Sequence, residues 1–422
     1  MFDFNQTLFV GIDVSKDSNQ VCLINFERKI LLNKPFKNNL EGASEMKTTI
    51  ISNLSKHNFS NLIIVLESTG IYSTHIANFL YYESESMCPN SLVYLVNPIV
   101  SHNFNKSNVG SNKTDSFDAF SLADFAASGK TNKLQPFKAR QHFSIQSLAR
   151  QRKHFIDLLV KEKVRFLNYI FIKFSDFNNK KHKNKAFSNV FGNTSIEVLL
   201  NFKTPEEIAN TSIEQLTEFI KSKNRFADSF EIAKILQKAS RDSYRLDASS
   251  YDSINTNIAI SFSTIKFYED TISLIEKEIS KLIKGSSFEK DINILKSIPG
   301  ISTVFATSII SELGDIKSFK SDDALAKYAG IFWSENESGN FASEDHRLKK
   351  TGNVYLRYYL IEATSSVIHN NIVFLDFYSK KLHEVKTHKE SRALVLTSRK
   401  FIRLIFKLLK DKKLYEDPSS LN

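Results

Sequence analysis

At 422 residues, with 41% hydrophobic and 24% charged residues, the chain is too long for one ordinary core and too apolar to be disordered. Cys22 and Cys88 are the only cysteines and form no Cys/His cluster, which excludes a zinc module or a disulfide scaffold. A formal charge of +11 and a pI near 9.2 favour a polyanionic partner, and no apolar run approaches the roughly 20 residues that span a bilayer, so the expected location is a reducing cytoplasm.

In chain order, residues 8–13 are a short apolar run ending in a carboxylate, the pattern of a buried strand. Residues 21–26 and 29–36 predict two more strands, turning at Glu27-Arg28. Residues 41–54 have helical spacing, and 61–66 are a second buried run ending at Glu67. A helical stretch over 70–82 precedes a third buried run, 92–96, which ends at Asn97-Pro98. Residues 113–125, opened by Lys113-Thr114, read as a helix carrying Asp115 and Asp118. The order β-β-β-α-β-α-β-α predicts an α/β domain with a partly parallel sheet over residues 1–135.

Residues 136–288 read as a helical region. Long helical patterns over 141–174 and 251–284 are spaced to pair as a coiled-coil-like arm. Between them lie a Lys/Asn-rich linker and a small helical insertion, opened by Thr204 as N-cap and Pro205 at the first helical position. Over 130–185 the only acids are Asp157, Glu162 and Asp176, so Arg150, Arg152, Lys153, Lys163 and Arg165 are expected to meet nucleic acid, the alternative being a merely soluble basic helix.

Residues 289–422 read as a mainly helical domain. Two helices flanking Pro299-Gly300-Ile301 form either a helix-hairpin-helix, with the Gly300 backbone at a phosphate, or a plain packing unit. Lys349 and Lys350 lead into a helix over 354–369 that carries Arg357; with Lys113 they are further candidates for the phosphate backbone. Residues 398–410 form an amphipathic basic helix, read as a terminal packing helix in preference to a membrane-surface one.

Four carboxylates share a logic. Asp115 and Asp118, three apart on one helix, project from the same face, an arrangement that repulsion makes unfavourable for stability alone. Asp13 and Glu67 stand at the ends of buried strands, at the sheet rim where α/β folds place ligands. Converging there, the four would hold two hard divalent ions about 3.5–4 Å apart. Singly, Asp13 could cap a turn, Glu67 could be a surface acid and Asp115 a helix-dipole partner. Gly11-Ile-Asp-Val-Ser-Lys16 also looks like the first phosphate loop of an actin-like sugar kinase, but with 12 glycines in the chain neither a second phosphate loop nor an adenosine motif follows.

Together, Gly11-Ile-Asp-Val-Ser-Lys16, Leu66-Glu-Ser-Thr-Gly70, Asn97-Pro98 and Lys113-Thr-Asp-Ser-Phe-Asp-Ala resemble the DEDD transposases of bacterial insertion sequences, relatives of the Piv DNA invertases. Ile298-Pro-Gly-Ile, Leu313-Gly-Asp-Ile, Phe319, Ala329-Gly330, Ser338-Gly339, Lys350-Thr-Gly-Asn353 and Leu356-Arg357 follow in that family's order. The resemblance covers most of the chain and is weakest over 180–250. It implies an RNase H-like (RuvC-like) N-terminal domain that binds Mg²⁺ through Asp13, Glu67, Asp115 and Asp118, and a C-terminal transposase domain. It further implies that Ser338, by its surroundings a turn residue, attacks DNA to form a phosphoserine link, with Ser334 as the fallback. A bridge RNA as guide, a homo-oligomer on the element ends and target DNA, and association with the nucleoid complete the expectation. Where relatives carry basic residues after the Ser-Gly, this chain has Glu344-Asp345 before His346-Arg347. The alternatives are a RuvC-like structure-specific nuclease using metal-activated water, and a non-enzymatic RNA/DNA-binding protein with an unused acidic pocket.

Overall fold

The computed structural model describes residues 3–106, 114–137, 143–177, 185–223, 228–333, 337–338, 341–342, 348–385 and 387–417. The chain divides into two compact units, Met1–Gln141 and His142–Asn422.

The first unit is built on a five-stranded sheet. β1 (Thr7–Val14), β2 (Ser18–Ile24) and β3 (Ile30–Lys37) form an antiparallel meander, and α1 (Leu40–Lys56) carries the chain back to β4 (Asn61–Glu67), parallel to β1. After α2 (Tyr72–Met87), β5 (Ser91–Val96) adds parallel to β4; α3 (Pro98–Lys106) and α4 (Asp115–Ala127) follow, and the strand order is β3-β2-β1-β4-β5. The central strands β1 and β4 are covered on both faces, which is why their sequences are continuous apolar runs and not alternations. Leu8, Val10, Ile12, Leu62, Ile64 and Leu66 pack on Met46, Ile50, Ile76 and Leu80 of α1 and α2. From the opposite face, Phe9, Ile63 and Val65 pack on Ala119, Leu122, Ala123 and Ala126 of α4. An antiparallel hairpin continued by parallel crossovers is the RNase H-like arrangement expected from the sequence. Helix α3 is an addition to the predicted elements; it begins at Pro98, whose fixed φ and missing N–H suit a first helical position.

The second unit is helical. α5 (Phe143–Lys173) and α10 (Ala248–Ile283) run antiparallel, tied by Arg152–Glu276 at 2.7 Å, Lys163–Glu269 at 2.7 Å and Ser261 Oγ donating to Glu162 at 2.5 Å. This is the predicted coiled-coil-like pair. Its far end carries the insertion, α6 (Asn193–Asn201), α7 (Pro205–Asn210), α8 (Ile213–Lys223) and α9 (Ser229–Asp242), with a separate core around Phe166, Ile170, Leu199, Leu216, Leu236 and Ile258. Thr204 caps α7, accepting from the Glu207 N–H at 3.2 Å, while Glu207 Oε2 accepts from the Lys203 N–H at 2.6 Å.

Its near end is built into the C-terminal core. Ala149 of α5 and Ile275, Ile279 and Ile283 of α10 belong to one apolar cluster with α11 (Glu289–Lys296), α12 (Thr303–Leu313), α13 (Asp322–Ala329), α14 (Val354–Asn370) and α16 (Lys389–Asp411); α15 (Ile372–Glu384) adds Phe374. Phe401, Ile402, Ile405 and Leu409 of α16 are fully buried, which makes that basic amphipathic helix a packing element. No helix among the described residues is long and apolar enough to cross a membrane.

Candidate active site

The geometry of the acidic cluster starts from Gly11. A Cβ there would stand 2.0 Å from the Ala119 carbonyl oxygen and 2.4 Å from the Ala123 nitrogen, so the backbone of α4 lies directly on β1 and only glycine fits. Thr114 caps α4, accepting from the Phe117 N–H at 3.2 Å, and Asn33 Nδ2 donates to the Ser116 carbonyl at 3.1 Å, fastening the first turn to β3. That turn carries Asp115 and Asp118. Asp13 and Glu67 follow directly on Ile12 and Leu66, which pair across the parallel strands β1 and β4.

Asp13 lies within electrostatic reach of the other three carboxylates. The Asp13 carboxyl is pushed up to about 6, first by burial and then by the negative charges of Asp118, Asp115 and Glu67, against a lowering hydrogen bond from the Val14 backbone. Ser101 of α3 donates from Oγ to Glu67 Oε2 at 2.6 Å and fixes that carboxylate. Among the described residues no three His, Cys, Asp or Glu side chains stand within joint ligating distance of one point. Coulombic reach is longer than ligation reach. The donor set itself, Asp13 with the carboxylates of Glu67, Asp115 and Asp118 near it, has the hard oxygen chemistry that suits a divalent cation.

In the second unit, Ser338 lies on one of two short strand pairs. β6 (Phe332–Trp333) pairs antiparallel with β9 (Leu348–Lys349), and β7 (Glu337–Ser338) with β8 (Phe341–Ala342), Ser338 opposite Phe341. Lys113, Ser334 and Gly339 lie outside the described residues. The base of the β6/β9 ribbon is clamped at both ends. The Asn353 N–H donates to the Tyr328 carbonyl at 2.7 Å. Arg357 Nη1 donates to the carbonyls of Ala329 at 3.3 Å and Lys350 at 2.9 Å. Ala329-Gly330 and Lys350-Thr-Gly-Asn353, two motifs noted in the sequence, are thus the two sides of one clamp.

The cations expected to meet nucleic acid are mostly engaged within the protein. Arg150 grips Glu312, Nε to Oε1 at 2.6 Å and Nη2 to Oε2 at 2.8 Å, and lies over the Tyr355 ring. Arg152 and Lys163 hold α10, and Lys153 pairs with Asp157 at 2.5 Å beneath the Tyr358 ring. Arg165 is 65% exposed with Glu162 at 3.6 Å, and Lys349 and Lys350 are exposed. Gly300, at φ +91°, has packing as its explanation: a Cβ would meet the Ser366 carbonyl of α14 at 2.7 Å, and Ser366 Oγ donates to the Gly300 carbonyl at 2.6 Å. Sequence reasoning missed Ser101 and Glu312. An acid inside the apolar run of α12 was the available signal for Glu312; nothing in the sequence marks Ser101 out from other serines.

Comparisons with known proteins agree with both halves. A family model described as a transposase, of the DEDD IS110 type, matches residues 10–172, and the model of the Transposase IS116/IS110/IS902 family matches residues 292–379. The pilin gene-inverting protein of Moraxella bovis is 22% identical over 414 residues, 97% of this chain and 99% of its own length. The 44.8 kDa protein of insertion element IS116 from Streptomyces clavuligerus is 23% identical over 237 residues, 55% of this chain and 56% of its own. Among solved structures, T. thermophilus RuvC in complex with a Holliday junction substrate covers 31% of this chain and 99% of that one, with 13% identity and a TM-score of 0.25. The first family match spans the sheet, the four carboxylates and α5, and the second spans the ribbon and its clamp; the chain belongs to the IS110 family of insertion-sequence transposases.

Proposed function

We propose that this chain cuts and rejoins DNA strands of an insertion sequence through a covalent serine–phosphate intermediate. Asp13, Glu67, Asp115 and Asp118 are the Mg²⁺ ligands and Ser338 is the nucleophile. The observation that carries this reading is the Asp13 carboxyl at the end of β1, raised first by burial and then by the charges of Asp118, Asp115 and Glu67 beside it. A divalent ion held there would neutralise phosphate charge and stabilise the leaving oxygen. In the protein's own part of the chemistry, Ser338 Oγ loses its proton and forms the new O–P bond as the old strand O–P bond breaks, releasing a strand-end hydroxyl. Attack of a second strand's hydroxyl on the phosphoserine then forms the joined strand and returns the serine. Because bond energy is kept in the ester, no external energy source is required.

The acidic site lies in the first compact unit and the serine in the second. A homo-oligomer is supported by Ile260, Phe267 and Leu274 of α10, spaced at heptads and 60%, 61% and 59% exposed. Guidance by a bridge RNA is part of the reading; the exposed cations Arg165, Lys349 and Lys350 are its expected contacts, or those of DNA.

The deciding experiment incubates protein, Mg²⁺, the element's own non-coding RNA and end-labelled DNA, followed by denaturation. A protein–DNA adduct present in wild type and lost in Ser338→Ala is the expected result. Cleavage without an adduct would assign the chain to metal-activated hydrolysis, and binding without cleavage would make it a binding protein.

A further inference from the structure

The fully buried Glu312 of α12 is the meeting point of four elements. Its carboxylate takes both arms of Arg150 and, at 3.1 Å, Gln146 Nε2 from α5. From the ribbon's clamp it takes Asn353 Nδ2 at 2.8 Å, and its own carbonyl accepts from Tyr328 Oη of α13 at 3.4 Å. Asn353 faces two ways: its Oδ1 caps α14, accepting from the Tyr355 and Leu356 N–H groups at 3.0 Å each, while its amide reaches down to Glu312. A buried carboxylate needs such partners merely to be tolerated. Stability alone, however, gives no reason to join a helical arm to the root of a surface ribbon; an apolar contact would serve as well.

We infer that Glu312 and Asn353 are positioning residues for strand transfer: the Arg150–Glu312–Asn353 node fixes to the α5 arm the β6/β9 pair, whose two strands flank in sequence the segment that carries Ser338. This deepens the reading of Ser338 as nucleophile and rests on it. The node touches neither phosphate nor metal. It holds both ends of the segment that carries the serine, and an error of about 1 Å at a nucleophile costs about 10²-fold in rate.

Asn353→Asp isolates this role. Aspartate caps a helix as well as asparagine does, so α14 keeps its start, but a carboxylate now faces the Glu312 carboxylate. Adduct formation at saturating DNA is expected to slow about 10²-fold, with the half-saturating DNA concentration unchanged and the melting temperature within a few degrees of wild type. Adding Glu312→Gln exchanges donor and acceptor across the same contact, keeps the net charge of the node, and should restore most of the lost rate. Asn353→Ser, which retains a capping oxygen but cannot reach Glu312, should behave as Asn353→Asp does if the latter folds poorly. Wild-type adduct rates in both single variants would overturn the inference, and so would a loss that appears in half-saturation instead of rate, or a folded double variant without recovery. Ser338→Ala, assayed alongside, separates the two levels: an adduct that survives it refutes the nucleophile itself, whereas its loss together with unimpaired Asn353 variants refutes only the node.

Discussion

In the first unit the fold gathers four charges of one sign at the sheet rim and raises the Asp13 carboxyl, whereas along α5 it sets cations against acids of neighbouring elements. The second arrangement lowers energy and assembles helices; the first raises energy, a cost that the proposed cation would offset. Charge density along a sequence therefore says less than whether the fold pairs the charge. The basic stretch of α5, which reads as a nucleic-acid face, is largely an assembly face, and the acidic site keeps its cost.

That contrast can be broken at several strengths. The largest effect belongs to the acidic site: Asp115→Asn and Asp118→Asn should each reduce strand cleavage roughly 10³-fold or more while leaving DNA binding near wild type, read by denaturing gels beside filter binding. Cleavage at full rate in either would end the metal-site reading.

Next comes a paired charge. Arg150→Ala removes the bidentate partner of a carboxylate with no solvent exposure and should cost about 3 kcal/mol in urea unfolding, whereas Arg165→Ala, at an exposed pair, should cost less than about 0.5 kcal/mol. Equal costs would show that the arm's cations are not graded by burial.

A third test uses pH. Lys173, the last residue of α5, is buried, with Nζ donating to the Leu199 and Phe202 carbonyls at 2.6 and 2.7 Å, and burial lowers its pKa from 10.5 to about 8. Between pH 8 and 10.5 the folded chain has released this proton while the unfolded chain still holds it, so stability rises with pH, by up to about 3 kcal/mol. Denaturation of wild type against Lys173→Met across that window isolates the contribution; parallel curves would refute it. The smallest effect is at the ribbon: Lys349→Ala and Lys350→Ala should each lower the salt dependence of nucleic-acid binding by about one unit of slope, with little sequence preference.

Much of the first unit was legible in the sequence because local signals and the fold agree there. Apolar runs covered on both faces read as central strands, and their terminal carboxylates, Asp13 and Glu67, could be placed at the rim without knowing the partners. Asp115 and Asp118 announced their shared face by spacing. The fate of Arg150 was not legible, since Glu312 lies 162 positions away and only folding brings the two together. Gly300 was ambiguous for a related reason: in sequence, a hairpin glycine looks alike whether it leaves room for a phosphate or for α14. Asn353 was visible as part of a motif, but its double duty requires knowing what lies beneath the ribbon.

The seat of α4 on Gly11 has a genetic consequence. Every glycine codon is one base change from an alanine codon, and a single methyl at this position meets backbone on the facing helix at 2.0 Å, where no side chain can move aside. Such a copy of the gene would keep all four acidic codons and the serine codon, and would read as intact wherever those motifs are used to count active copies. Its helix would be displaced from the sheet and the element stranded at its locus. Silent copies of this kind are found by inspecting the glycine, not the acids.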